Sequence, residues 1–334
     1  MNESTGTIPL APPTSLVGWI GRLRAAGDLR KYVVYIAFFV ILATFAVILR
    51  DDGFLTSTNL LNVGRQAAPI AVMAVGMTFA LASAEIDLSV GSVVALSSLV
   101  AARVVNDYGL AIGVATALAV GIAVGLVNGL ITVKVRIPSF LVTLGMLGIV
   151  SGIARNQNNL QSLPIRNSSF LNVFGGGSLG PISSLLIWTL LVGSLGYFAM
   201  NQLRFGRHVI SVGSDRGAAK AVGINTDRIR ITSLVISATA AAFAGVMLAS
   251  RLAIGRHDLG ENDLLTVIAA VVIGGTSLFG GKASVAGAIT GALIMSMLNN
   301  GLILMGLDVA DQMIARGVII IVAVALSMRE QRDG

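Results

Sequence analysis

Long apolar runs dominate this chain and leave few folds open to it. From residue 32 onward, apolar stretches follow one another with only short polar segments between them. A helix of about 20 apolar residues matches the hydrocarbon core of a bilayer. Charged residues make up 12% of the 334 residues and mean hydropathy is +0.86, whereas a soluble domain carries about 25% charged residues. The sequence therefore predicts an all-α integral membrane protein.

We predict about ten transmembrane helices, some of them short or broken. They cover residues 32–49, 67–84, 89–105, 110–132, 138–154, 181–200, 231–250, 264–280, 284–305 and 312–328. The pair Gly274-Gly275 interrupts the eighth span, which is typical of broken or re-entrant helices. We expect residues 1–31 to form an uncleaved cytoplasmic tail, residues 32–328 the transmembrane domain and residues 329–334 a second cytoplasmic tail.

Basic residues predict the orientation of these spans. If the N-terminus lies inside and the spans alternate, most of the 23 Lys and Arg residues fall in inside segments. This bias follows the positive-inside rule and places both termini in the cytoplasm. The net charge of +7 is thus interpreted as a mark of topology, and no nucleic-acid partner is expected.

An internal repeat links the fourth and ninth spans. Asn128-Gly129-Leu130-Ile131 recurs as Asn300-Gly301-Leu302-Ile303. An odd number of helix steps separates the two spans, so they run in opposite directions. The pattern predicts an inverted repeat of spans 2–5 against spans 7–10, as in many transporters. Asn128 and Asn300 either line a transport path or tie neighbouring helices together.

Residues 84–92, AEIDLSVGS, place Glu85 and Asp87 between two apolar runs. Side chains two residues apart do not face each other on a helix, and no nucleophile or metal-binding set accompanies them, which disfavours a catalytic pair. A proton-coupling role is a second interpretation. The favoured one is a helix start, where Asp87 and Ser89 accept backbone N–H groups and Gly91 lets another helix approach.

Several kinds of chemistry are not expected in this chain. It contains no Cys and two distant His residues, so we predict no metal site, and we predict no catalytic or cofactor-binding residues. The stretch GGTSLFGGKAS at 274–284 fails the nucleotide-loop pattern, because Thr276 stands where the first Gly is needed and Ala283 follows Lys282. We interpret it as a turn whose Thr276 and Ser277 could present polar groups to a transport pathway.

The longest charged segment is residues 201–230, on the predicted inner side. Its residues 215–223 predict a short helix, begun by Ser214 or Asp215 and ended by Gly223. Small Ala residues would let another protein approach closely. From charge alone, a solvated connecting loop is favoured over a docking helix.

Four blocks together resemble the permease subunits of bacterial ABC importers for monosaccharides, the ribose permeases above all. They are GMTFALASAEIDLSVGSVVALSS (76–98), NGLITVKVRIPSFLVTLGML (128–147), FGRHVISVGSDRGAAKAVGI (205–224) and LLTVIAAVVIGGTSLFGGKASVAGA (264–288). The resemblance implies a multi-pass protein of the bacterial inner membrane. It further implies a second permease copy or a paralogue, a cytoplasmic ABC ATPase that uses ATP and Mg²⁺, and a periplasmic sugar-binding protein.

The resemblance also assigns roles to residues. The residues expected in an ATPase-coupling loop are Gly213, Asp215, Ala218, Ala219 and Gly223. Independently of the resemblance, the polar residues in and between the spans are candidates for a translocation path or gate: Glu85, Asp87, Ser89, Asn128, Thr276, Ser277 and Asn300. Glu85 stands where related permeases usually carry Gly, so we expect Glu85→Gly to leave folding intact.

Two other functions stay open at this level. An ion- or proton-coupled carrier of a small neutral solute would need an essential acid, for which Glu85 and Asp87 are candidates. An exporter would bind no periplasmic receptor. The sequence names neither the cargo nor the residues that contact it.

Overall fold

The structure, a computed structural model, describes residues 29–157, 159–308, 310–315, 317–319 and 321, with side chains from residue 32 onward. Most of the predicted tails, 1–28 and 329–334, lies outside the described residues. The helices are α1 (Leu29–Ile48), α2 (Ser57–Ala82), α3 (Val90–Tyr108), α4 (Leu110–Leu130), α5 (Ser139–Asn156), α6 (Ser168–Leu171), α7 (Ser184–Asn201), α8 (Arg204–Ser214), α9 (Arg216–Ala221), α10 (Thr226–Leu252), α11 (Asp263–Ile273) and α12 (Val285–Leu304). The described residues from 310 to 321 are helical as well.

Two π-helical turns and four short strands complete the described elements. The turns are Ile131–Val135, which continues α4, and Asn172–Gly176, which continues α6. The strands are β1 (Leu163–Pro164), β2 (Ser178–Leu179), β3 (Ile182–Ser183) and β4 (Ile254–Gly255). β1 pairs antiparallel with β4, and β2 with β3.

The chain is an all-α membrane protein, as predicted. Within the described residues, seven helices are long and apolar enough to cross a membrane, and two shorter apolar helices accompany them. The predicted number of ten spans stays a prediction. The boundary of the second span was wrong: α2 begins at Ser57, ten residues before Ala67, where the Thr56 hydroxyl accepts the Asn59 N–H.

Helices α2, α3 and α10 form the centre of the bundle. Nearly every residue from Ala67 to Ala82 of α2 is buried, as are the small residues along α10. Helices α4, α5 and α7 lie outside them and expose apolar side chains such as Ile122, Leu144 and Leu190. That distribution is the one expected of helices that face lipid or a partner chain.

Helix packing follows the predicted inverted repeat. Helix α4 packs on α10 as α12 packs on α2, and α3 packs on α10 as α11 packs on α2. The end of α4 lies at the start of α10, where Gly129 contacts Ile231. The end of α12 lies instead at the start of α2, where Asn300 pairs with Asn59. Helices α4 and α12 therefore run in opposite directions.

The eighth span is broken, as its glycines predicted, but the helix ends earlier than expected. Helix α11 stops at Ile273, with Gly274 at its end, so residues 274–280 belong to a loop and not to the span. On the other side of α11, residues 253–262 include β4 and are otherwise irregular. The backbone of this segment hydrogen-bonds α3, since Ser98 Oγ donates to the Arg256 carbonyl at 3.1 Å.

This irregular segment returns into the bundle. Gly260 contacts Gly91 and Val94, and Val94 in turn contacts Gly245 of α10. Gly245 lies seven residues before the end of α10, which places Gly260 about 10 Å below that end. A side chain at Gly91 would collide with the Gly260 carbonyl. The close approach predicted at Gly91 thus exists, but its partner is this segment and not a helix.

Candidate functional site

Basic residues from four segments gather at one end of the bundle, here called the basic end. The segments are the turn after α4, helices α8 and α9, the start of α10, and the loop 274–284. The turn after α4, helix α9 and the start of α10 line one cavity, with Lys134, Arg216 and Arg230 among its residues. The fourth packs beside them, because the Gly281 N–H donates to the Ala82 carbonyl at 3.1 Å. The predicted inner segments therefore meet in space.

Residues 83–89, here called the α2–α3 link, cross this end in a buried, non-helical conformation. Ala84 has a φ of +60°, and the Glu85 N–H donates to the Ala80 carbonyl at 2.9 Å. The next residue is held by α5: Ile86 N–H donates to Ser139 Oγ at 3.0 Å, and Thr143 Oγ1 donates to the Ile86 carbonyl at 2.9 Å. Hydrogen bonds to α2 and to α5 therefore hold the link in place.

Asp87 lies just before α3, as predicted, and belongs to a fully buried polar cluster. Its Oδ1 accepts the Ser89 N–H at 3.0 Å and the Ser89 hydroxyl at 2.6 Å. Asn128 Nδ2 of α4 donates to the same hydroxyl at 3.0 Å. The Ser237 hydroxyl of α10 lies beside the carboxyl without reaching hydrogen-bond geometry. Asp87 Oδ2 and Asn128 Oδ1 keep no hydrogen-bond partner.

Glu85 belongs to a different network. Its side chain is 2% exposed, and Oε1 accepts hydrogen bonds from Arg216 of α9 at 3.0 Å and from Arg230 of α10. The Arg230 side chain is 11% exposed and the Arg216 side chain 46%. The structure argues against the expectation that Glu85→Gly leaves folding intact, because removing this carboxylate would leave two guanidinium groups together, one of them only 11% exposed.

Helix α9 is the short helix predicted in the charged segment. Asp215 Oδ1 accepts the Ala218 N–H at 2.9 Å, and Gly223, with a φ of +85°, follows its end. Ala219 is buried against this chain, whereas Ala218 and Gly223 are exposed. The predicted coupling residues thus divide into an outward set, Ala218 and Gly223, which is exposed, and an inward set, which contacts the rest of this chain and includes Ala219.

Gly213, another predicted coupling residue, belongs to the inward set. A Cβ at this position would overlap the Ala82 carbonyl and crowd the Gly281 nitrogen. Gly213 therefore joins α8 to the end of α2 and to the loop 274–284, and its contacts are with this chain.

Thr276 and Ser277 stabilise the loop 274–284. Thr276 Oγ1 accepts the Ser284 N–H at 3.1 Å, and Ser277 Oγ accepts the Phe279 N–H at 3.2 Å. Both side chains are buried. Their hydroxyls thus take part in loop structure, and a role toward a pathway stays a prediction.

The two repeat-related asparagines both tie helices together. Asn300 exchanges two hydrogen bonds of 2.9 Å with Asn59 of α2, at the end opposite to Asn128. Of the two interpretations offered by the sequence, the structure provides the contacts for the interhelix tie.

Sequence reasoning missed several polar partners. Arg230 of α10 pairs with Glu85, and Ser237 of α10 lies beside Asp87. The ion pairs Arg155–Glu261 and Arg256–Asp258 involve the returning segment. The basic loop gave a general signal for Arg230. Nothing in the local sequence identified Ser237. Among the described residues, no group of three or more His, Cys, Asp or Glu side chains is arranged to hold a metal ion.

Comparisons with known proteins agree with this architecture. A family profile described as branched-chain amino acid transport system / permease component matches residues 59–324. The chain is 38% identical to a probable ABC transporter permease protein, YphD, of Escherichia coli (strain K12), over 97% of this chain and 96% of that protein.

Two further relatives have named cargoes. The ribose import permease protein RbsC of Escherichia coli (strain K12) is 35% identical, over 89% of this chain and 93% of the relative. The L-arabinose ABC transporter permease protein AraH of Azospirillum brasilense is 36% identical, over 94% of each. No solved structure matches the chain.

Proposed function

The chain belongs to the family of branched-chain amino acid transport system permease components, and on that premise we propose that it is the membrane permease of a bacterial ABC importer for sugars. The relatives named for ribose and arabinose support a monosaccharide or a similar polyol as the cargo. The protein resides in the inner membrane, with the basic end and both termini in the cytoplasm.

Partners supply the energy and the cargo. A separate ATPase subunit hydrolyses ATP with Mg²⁺ at the basic end, and a periplasmic binding protein delivers the sugar at the other end. A second permease copy or a paralogue completes the assembly. The exposed apolar faces of α4, α5 and α7 offer room for this neighbour and for membrane lipid.

One observation carries the coupling step of this proposal. Helix α9 exposes Ala218 and Gly223, while Arg216 of the same helix forms an ion pair with buried Glu85. Glu85 lies in the α2–α3 link, two residues before Asp87 at the start of α3. A displacement of α9 by the ATPase would therefore be transmitted through Arg216 and the link to a central helix. Differential contacts of this kind bias a two-state permease.

A second candidate, a proton-coupled carrier, rests on Asp87. This carboxyl is 0% exposed, its Oδ2 has no hydrogen-bond partner, and no described Lys, Arg or His forms a salt bridge with it. Buried acids without a cation are typical of proton relays. Under the importer proposal the same carboxyl serves to position the start of α3.

Sugar uptake into right-side-out vesicles distinguishes the two candidates. An importer takes up a labelled sugar only with ATP, the ATPase subunit and the binding protein, and Asp87→Asn retains dependence on ATP. A carrier works without the ATPase subunit, under a proton gradient alone, and loses uptake in Asp87→Asn. Uptake that persists without any ATPase subunit would contradict our proposal.

A further inference from the structure

A cavity of about 920 Å³ opens at the basic end, beside the Glu85 network. The turn after α4, the start of α5, helix α9 and the start of α10 line it. Five basic side chains take part in this lining: Lys134, Arg136, Arg216, Lys220 and Arg230. Two acids, Glu85 and Asp227, line it as well. The cavity therefore carries a net positive charge.

Three of the five cations form no ion pair within the described part of the chain. Glu85 pairs with Arg216 and Arg230. No acidic side chain of the described residues forms a salt bridge with Lys134, Arg136 or Lys220, all of which are exposed. A concave surface with several unpaired cations attracts anions, and the low-dielectric wall strengthens the field inside it.

A buried hydroxyl in the cavity wall lacks a partner. Thr132 is 1% exposed, lines the cavity and makes no hydrogen bond through Oγ1. A buried hydroxyl without a partner is unfavourable by about 1–3 kcal/mol, and an acceptor oxygen of a ligand at this wall would satisfy it. The turn that carries it, Ile131–Val135, is π-helical, and Arg136 follows with a φ of +64°.

The N-terminus of α10 adds to the same field. Thr226 and Asp227, at the start of this 27-residue helix, line the cavity. The N-terminus of a helix carries a partial positive charge and favours anions. Asn225 caps the helix by accepting the Arg228 N–H at 3.0 Å, so the helix contributes its dipole and the side chains contribute the hydrogen bonds.

We propose that this cavity binds a phosphate group from the cytoplasmic side, held by Lys134, Arg136 and the Thr132 hydroxyl. Phosphate presents several acceptor oxygens at high charge, which suits guanidinium and ammonium donors together with a hydroxyl. The group comes from a soluble phosphate ester or from the headgroup of an anionic phospholipid. Exposed Ile137 and Phe140 at the rim would contact the carbon atoms of either ligand.

Two measurements on the purified full-length chain separate these sources. Calorimetric titration with inorganic phosphate in neutral detergent tests the soluble source. Nanodiscs of phosphatidylcholine, with and without phosphatidylglycerol, test the lipid source, with the bound lipid quantified by mass spectrometry. The variants are Lys134→Gln with Arg136→Gln, and Thr132→Val. Lys282→Gln is the matched control, because Lys282 is a basic residue of the same end that does not line the cavity.

We expect binding in one of the two arms. The double variant should weaken it by about tenfold or more, Thr132→Val should weaken it less, and Lys282→Gln should leave it unchanged. Phosphate binding identifies a soluble ligand, and enrichment of phosphatidylglycerol alone identifies a lipid. Absence of binding in both arms would overturn the proposal, as would binding that the double variant leaves intact. Thermal unfolding of each variant verifies that it is folded.

Discussion

Glu85 and Asp87 stand two residues apart, yet their side chains serve different parts of the molecule. Glu85 accepts hydrogen bonds from Arg216 and Arg230 at the basic end, and Asp87 accepts from Ser89 at the start of α3. The sequence predicted this separation from spacing, and it predicted the position of Asp87 from local helix chemistry. It did not identify Arg216 and Arg230 as the partners of Glu85, because they lie 131 and 145 residues away.

Replacement of Glu85 by Gln tests the ion-pair network. We expect Glu85→Gln to lower the free energy of unfolding by about 2–3 kcal/mol, because Arg230, whose side chain is 11% exposed, loses its counter-ion, and to reduce ATP-driven uptake. Thermal unfolding in detergent measures the first effect. Glu261→Gln is the control: its partner Arg155 is 53% exposed, and exposed pairs contribute about 1 kcal/mol or less. Equal stability of the two variants would contradict this role for Glu85.

At the level of elements, α8 and α9 connect an exposed surface to the interior. Gly213 fixes α8 against the end of α2 and the loop 274–284, and Ala219 buries one side of α9. The other side of α9 stays open, with Val222 77% exposed. The cap at Asp215 and the end at Gly223 were predictable because they depend on neighbouring residues. Which of the two residues Ala218 and Ala219 is buried could not be predicted, because it depends on contacts with distant helices.

A methyl group at Gly213 tests the first contact. We expect Gly213→Ala to displace α8 from the Ala82 carbonyl, to destabilise the chain by about 1–3 kcal/mol and to lower uptake. Gly217→Ala is the matched control, because its Cβ would meet only the Asp215 side chain, at 3.3 Å. Melting temperatures and uptake rates are measured for both. A Gly213→Ala protein as stable and active as Gly217→Ala would show that the close contact is dispensable.

A large side chain on each face of α9 tests whether one face is exposed and the other is packed against this chain. We expect Ala218→Trp to leave the melting temperature nearly unchanged and to reduce ATPase binding, since Ala218 is exposed. Ala219→Trp should lower the melting temperature, because Ala219 is 4% exposed and overpacking is destabilising. Unfolding and co-purification with the ATPase subunit separate the two effects. The same result for both variants would contradict the assignment of faces.

For the whole molecule, the inverted repeat predicted from two Asn-Gly-Leu-Ile blocks agrees with the packing of α4 on α10 and of α12 on α2. Periodicity and span length could predict the helices, since each depends on its own residues. They could not predict that residues 253–262 return into the bundle, because Gly260 and Gly91 meet across 169 residues of chain. Of the basic residues in the predicted inner segments, Lys134, Arg216 and Arg230 line one cavity at the basic end, where we place the ATPase.

Cross-linking from α9 tests the central claim, that this helix binds the ATPase. The natural chain has no Cys, so Ala218→Cys carries a single thiol, and Leu179→Cys, 76% exposed in the segment between α6 and α7, provides the control. We expect Ala218→Cys to form a cross-link to the ATPase subunit in membranes, at a yield that changes with ATP, and Leu179→Cys to form none. Cross-linking of the ATPase to Leu179→Cys and not to Ala218→Cys would contradict the account.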